Sequence, residues 1–290
     1  MKKIAIIGHG YVGNAMERFF NKHFEVVVYD PKYFTGIMPD RVVNSDENVR
    51  ILFDTDIQVN KNEVNQCDFA VICVPTPEAE DHSVDLSFVR SAVEMLETPL
   101  ILLKSTVPPG TIDSLRAEFG KRICFSPEYI GEGKYVVQWW KDKDYPHPTD
   151  MKYHSFQIVG GYKEDARAVL EFFKLVAGPE VKYIVTDAKT AELCKYMENS
   201  WGATKVTFCN EFAKIAENMG VDYDELRELW LLDGRVERMH TAVFKDKRGF
   251  GGKCYPKDVN GIVEQSKKAG YTPKLLQAVL AVNEELKTNQ

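Results

Sequence analysis

The chain has 290 residues, 44% hydrophobic and 28% charged, a soluble globular composition long enough for roughly two domains of about 150 residues each. Lys and Arg total 37 against 43 Asp and Glu, so the net charge is −6 and the basic surface of a nucleic-acid binder is excluded. Apolar stretches such as residues 69–74 are strand-length, far short of the ~20 residues that span a bilayer. The run from Ile4 to Gly8 is too short for a signal peptide, and no small-residue cleavage site follows. The six cysteines, at 67, 73, 124, 194, 209 and 254, form no CxxC pair. A reduced, cytoplasmic chain without membrane partner, metal site or disulfide framework is expected.

Residues 2–7, 25–30, 68–74, 99–104 and 122–125 read as strands, apolar almost throughout, as in a parallel sheet buried on both faces. Helical spacing at 11–22, 86–96 and 111–119 separates them, which predicts a doubly wound α/β sheet. Two further strands fit 155–159 and 181–186, with a helix over 163–175 between them. Residues 134–153 hold two Trp and two Pro among many charges and read as a surface insertion. From 187 to 219 the pattern is one long helix. Leu193, Met197, Trp201, Phe208, Phe212, Ile215 and Met219 recur near helical spacing, and Gly220 suits its end. Helices over 223–232, 259–269 and 273–287 follow. The predicted architecture is a doubly wound α/β domain over 1–186 and an all-helical domain over 187–290 built on that long helix.

Gly8-His9-Gly10-Tyr11-Val12-Gly13 is a GxGxxG directly after a strand and opening a helix. Gly8 makes the turn, Gly10 lets the backbone approach a pyrophosphate, and Gly13 allows close helix–strand packing, with Tyr11 and Val12 in the helix's first turn. Asp30 ends the second strand, where a carboxylate accepts from an adenosine ribose and repels a 2′-phosphate. NAD is therefore the expected cofactor, with Lys32 softening the preference over NADP. The segments holding Val74 and Thr76, and Ser105 and Thr106, follow the next strands at the sheet's ligand edge. Ordinary strand-to-helix turns are the alternative there. Glu128 and Glu132 follow the fifth strand, where one could activate water or either could be a helix-start charge.

Gly249-Phe250-Gly251-Gly252-Lys253-Cys254-Tyr255-Pro256-Lys257-Asp258 puts three glycines before a cysteine and a lysine and an aspartate after it. A cysteine near a helix start and a lysine is the setting of a nucleophilic thiol, although a small buried cysteine beside a turn also fits. Lys195 and Asn199 share one helical face and could hold an alkoxide or oxyanion. They interrupt an apolar surface beside Leu193 and Trp201, and a solvated face is the alternative.

The strings GHGYVG, VPTP, STVPPGT, SPEYIGEG, AELCKYMENS and GFGGKCYPKD together resemble the ordered motifs of the nucleotide-sugar dehydrogenases, from residue 1 to about 285. The resemblance implies an N-terminal Rossmann domain and a UDP-glucose-like 6-dehydrogenase. Such an enzyme oxidises a sugar C6 alcohol to a carboxylate with two NAD through a cysteine-bound thiohemiacetal and thioester. It implies Cys254 as nucleophile, with Lys195, Asn199 and Asp258 binding the oxygen and the attacking water. Glu128 is then the acid/base for thioester hydrolysis, Thr106 lies between cofactor and substrate, and Glu132 lies near the nicotinamide. Gly251 and Lys257 fall to the substrate, and Arg235 to the neighbouring subunit's site in a homodimer formed through the 187–219 helix.

Two departures are visible. Lys253 stands where the family has a small or aromatic residue. The sequence reaches Gln290 soon after Asn283 without the second α/β domain that holds much of the nucleotide in the family, so a short form is expected. A two-electron 3-hydroxyacid-type dehydrogenase is the first alternative, and Cys254 discriminates because a single hydride transfer needs no nucleophile. An inactive cofactor-binding relic is the second.

Overall fold

The computed structural model describes residues 1–33, 47–130, 151 and 154–288. It divides into two compact units, Met1–Pro77 with Asp85–Lys195, and Glu78–Val84 with Tyr196–Gln290.

The first unit holds the sheet. Its strands are β1 (Lys3–Ile7), β2 (Glu25–Tyr29), β3 (Val49–Ile51), β4 (Phe69–Ile72), β5 (Ile101–Leu103), β6 (Ile123–Phe125), β7 (Phe156–Gly160) and β8 (Lys182–Thr186). They lie in the order β3-β2-β1-β4-β5-β6-β7-β8. Alternate residues face opposite ways, and both faces are covered. Ile4 and Ile6 pack with Met16 and Phe20 of α1 (Tyr11–Phe20) and Phe173 of α5 (Lys163–Ala177). Ala5 and Ile7 face a second cluster with Val64 of α2 (Ile57–Val64), Val89 and Val93 of α3 (Ser87–Met95) and Ile112 of α4 (Thr111–Phe119). This two-sided burial explains the continuous apolar runs.

The expected α/β sheet is present, with one correction. The strands from β3 to β6 pair in parallel, but β7 pairs antiparallel to β6, and β8 follows β7. Apolar runs carry no direction, and an antiparallel return needs no crossover helix. β3 and α2 were not foreseen. β3 has three residues with an arginine between its two apolar ones, and α2 is mostly polar, started by Asp56 accepting from Gln58 N at 2.9 Å.

From β1 the chain steps to β2 and β3 on one side, then returns to β4 on the other. That reversal is a topological switch point, where α/β sheets bind ligands beyond the strands' carboxyl ends. Ile7 pairs with Ile72, so the loops after β1 and β4 start level with each other.

The long helix α6 (Ala188–Met219) starts in the first unit and continues into the second. Asp187 caps it, accepting from Thr190 N at 2.8 Å. The second unit adds α7 (Tyr223–Trp230), which has no buried residue, and α8 (Tyr255–Lys268) and α9 (Lys274–Thr288), which share with α6 a small core of Ala203, Phe250, Val259 and Val279. α8 starts one turn earlier than the sequence reading placed it. Cys254 is its N-cap, Pro256 lies in its first turn where a missing N–H costs nothing, and Asp258 follows as a first-turn acid.

α6 also corrects the expected placement of its polar residues. Glu192, Lys195, Asn199 and Asn210 are buried, while Met197 is 75% exposed and Leu193, Trp201, Phe208, Phe212, Ile215 and Met219 are exposed. The buried stripe carries the polar groups and the apolar stripe faces outward, so Lys195 and Asn199 do not interrupt the face of Leu193 and Trp201. Among the described residues no helix is long and apolar enough to cross a membrane.

Candidate active site

The first unit carries the glycine turn. Gly8 has a φ of +84°, and a Cβ there would lie 2.8 Å from the Cys73 carbonyl oxygen. A Cβ on Gly13 would meet the Gly8 carbonyl oxygen at 2.0 Å, so only glycine lets α1 leave the strand this closely. Gly10 is exposed, a Cβ there would touch nothing, and no side chain caps α1. The helix start thus presents its positive end across open space, with Tyr11 and Val12 in its first turn, and fits a pyrophosphate. Asp30 follows β2, turned toward the glycine loop. Its carboxylate accepts from His9 N at 2.6 Å and Lys32 N at 3.0 Å, with Lys32 Nζ at 3.4 Å. Lys32 Nζ also donates to the His9 carbonyl. Beneath the loop, buried His9 bridges Glu17 and Tyr33, at 2.6 Å each.

The loops after β4 and β5 are tied together where Ser105 Oγ donates to the Val74 carbonyl at 2.7 Å. Thr76 is buried in the first loop and Thr106 half-buried in the second. Fully buried Glu192 anchors the second loop from below, accepting from Gly110 N at 2.5 Å and Ile112 N at 2.8 Å. Burial pushes its carboxyl up to about 7, against the pull of those two donors. After β6, Glu128 is buried and accepts from Ile130 N. Below it Lys104 is buried, donating to Ser126 Oγ at 3.2 Å and the Pro127 carbonyl at 2.9 Å. Burial brings the Lys104 ammonium down to about 8, while the Glu128 charge opposes that drop. Lys195 Nζ lies 5.4 Å from the centre of the Tyr129 ring. Glu132 lies outside the described residues, as does the 134–153 insertion apart from Met151.

The second unit holds Cys254 and Asp258. Cys254 is half-buried at the start of α8. One turn on, buried Asp258 accepts from Asn199 Nδ2 at 2.5 Å and from Lys257 Nζ at 2.5 Å. A carboxylate held by an amide and an ammonium stays oriented and charge-compensated, as required of a group that fixes a substrate oxygen or a water. Gly251 and Gly252 are exposed, leaving backbone open beside the cysteine. The loop is anchored behind them by buried Asn283, which accepts from Phe250 N at 2.7 Å and donates to its carbonyl at 3.1 Å. Arg235 is exposed, its guanidinium folded onto Asp233. Glu192, Lys104 and Asn283 had no assigned role in the sequence. The only signal was a charged or amide side chain inside an apolar pattern.

The doubly wound sheet, its glycine turn and the aspartate after β2 define a Rossmann-type dinucleotide-binding protein joined to a helical unit. Residues 36–144 match the NAD binding domain of the UDP-glucose/GDP-mannose dehydrogenase family, and residues 189–285 match its central domain. The chain belongs to that family, and its cofactor is NAD. It is 30% identical to the UDP-glucose 6-dehydrogenase TuaD of Bacillus subtilis over 312 residues, covering 98% of this chain and 63% of that protein. The structure is similar to a UDP-glucose dehydrogenase from Pyrobaculum islandicum, with a TM-score of 0.79, 26% identity, and coverage of 98% of this chain and 68% of that one. It also shares its fold with a 3-hydroxyisobutyrate dehydrogenase of Mycobacterium tuberculosis, with a TM-score of 0.65, 16% identity, and coverage of 98% and 93%. The chain thus spans less than two thirds of the length of TuaD.

Proposed function

We propose that the chain is an NAD-dependent nucleotide-sugar 6-dehydrogenase that oxidises the C6 alcohol of a UDP-glucose-like substrate to a carboxylate. The observation that carries this reading is Cys254 at the start of α8, one turn before the buried Asn199–Asp258 pair. NAD, when bound, accepts the two electrons released at each of two oxidations. An aldehyde has no good leaving group, so the second oxidation needs an added nucleophile. The Cys254 thiolate adds to the aldehyde carbon, and the resulting thiohemiacetal is oxidised to a thioester. Asn199 and Lys195 donate to the oxygen as charge develops on it, and Asp258 accepts from the attacking water. Glu128 then takes a proton from the water that cleaves the thioester. The family resemblance assigns Thr106 to a role shared by cofactor and sugar and Glu132 to the cofactor.

Residues 1–186 bind NAD. Residues 187–290 bind substrate, with Gly251 and Lys257 at the sugar, and form a homodimer. The outward apolar stripe of α6 supports the dimer, and Arg235 then reaches the partner's site. All six cysteines carry thiols, which suits a reducing cytoplasm. The test is to count NADH per sugar across a panel of UDP-sugars. Two NADH per sugar oxidised is expected. One NADH, with an aldehyde or ketone product, would replace this reading with the two-electron one.

A further inference from the structure

His240 has a φ of +64°, a left-handed conformation that strains a residue with a side chain and persists only where its surroundings impose it. Those surroundings are fixed on both sides. Three residues earlier, buried Lys205 of α6 donates its ammonium to the Glu237 carbonyl. One residue later, the Thr241 carbonyl accepts from Tyr223 OH at 2.9 Å, and Thr241 Oγ1 accepts from Arg227 Nε at 3.1 Å. Thr241 is fully buried. The strained turn aims the imidazole at Tyr255, whose hydroxyl lies 2.8 Å from Nε2. The Tyr255 ring in turn fills the space over Gly202 of α6, where a Cβ would come within 2.4 Å of the hydroxyl. Burial and the Lys205 charge hold the imidazole below its ordinary range and favour the uncharged ring, whose tautomer with the proton on Nδ1 accepts the Tyr255 O–H at Nε2.

From this we infer that His240 is a positioning residue for Cys254. Its hydrogen bond to Tyr255 fixes the first residue of α8 and so keeps the preceding cysteine at the helix start. Asn283 holds the loop on the glycine side of Cys254, and the His240–Tyr255 pair holds it on the helix side. The segment that carries Arg235 is thereby tied to the one that carries the thiol. The inference rests on the reading of Cys254 as nucleophile and adds the group that orients it.

The test is the pH profile of Cys254 alkylation by iodoacetamide, read by peptide mass spectrometry in the full chain. His240→Phe keeps a ring and removes the acceptor. The half-maximal pH is expected to rise by about half a pH unit, the size of a helix-end effect on charge, which slows alkylation at pH 7 about threefold. Tyr255→Phe should give the same shift, the double variant no more, and His240→Gln, which restores an acceptor, should recover most of it. Buried Cys209 reports on folding, and if it becomes reactive in His240→Phe the comparison is made with Tyr255→Phe. An unshifted Cys254 profile with Cys209 still protected would overturn the inference. Full turnover by Cys254→Ser would instead overturn the nucleophile reading, so the two failures are distinct.

Discussion

Glu192 predicts a pH dependence that one substitution should remove. Its carboxyl sits near 4.5 in the unfolded chain and at about 7 when folded, because burial disfavours the charged form. A folded value above the unfolded one means that the native state binds the extra proton between those two pH values. Stability therefore falls as pH rises through the window from 4.5 to about 7, and the loss is complete above it. A gap of about 2.5 pH units, at about 1.4 kcal/mol per unit, amounts to about 3 kcal/mol. Glu192→Gln keeps the shape and cannot ionise. Its carbonyl can serve one of the two N–H groups of Gly110 and Ile112, so the variant starts with a fixed deficit of about 1–3 kcal/mol for the other. That deficit does not change with pH. Thermal melts at pH 5 and pH 8 separate the two effects. Between those pH values the unsubstituted protein should lose about 5–10 °C more than the variant, given about 2–4 °C per kcal/mol for chains of this size. Equal losses in both proteins would refute the argument that Glu192 is held against its burial.

Three further outcomes are expected. Asp30→Ala should weaken NAD binding by about 1.5–3 kcal/mol, roughly tenfold to a hundredfold, and bring NADP closer to parity. Fluorescence titration with both reduced cofactors checks this, and equal affinity for NADPH in the unsubstituted protein would contradict it. Light scattering at micromolar concentration should report a homodimer, and Trp201→Glu, a charge set in the exposed stripe of α6, should give a monomer. Glu128→Gln should stall after the second oxidation and accumulate a covalent acyl group on Cys254, visible as added mass on the intact protein.

The strands were legible because a sheet buried on both faces needs apolar residues at every position, as in Ile4 to Ile7. β3 and α2 were not, since each hides too few side chains to leave a pattern. The direction of β7 depends on a connection rather than on its own composition. On α6 periodicity located the stripes and could not say which faces inward. The polar stripe goes in because Glu192 and Asn199 find partners there, at Gly110, Ile112 and Asp258. The glycine turn, Asp30, Cys254 and Asp258 were legible as local motifs. His240 and Asn283 act through residues far away in the sequence, and nothing beside them marks those partners.

The central claim is that Cys254 carries the sugar between the two oxidations, and turnover of Cys254→Ser tests it most directly. With NAD and a UDP-sugar that the unsubstituted protein converts to the acid, the variant should form no acid and at most a trace of aldehyde, because an alcohol is a far poorer nucleophile at neutral pH. Acid formation by Cys254→Ser at the unsubstituted rate would contradict the claim.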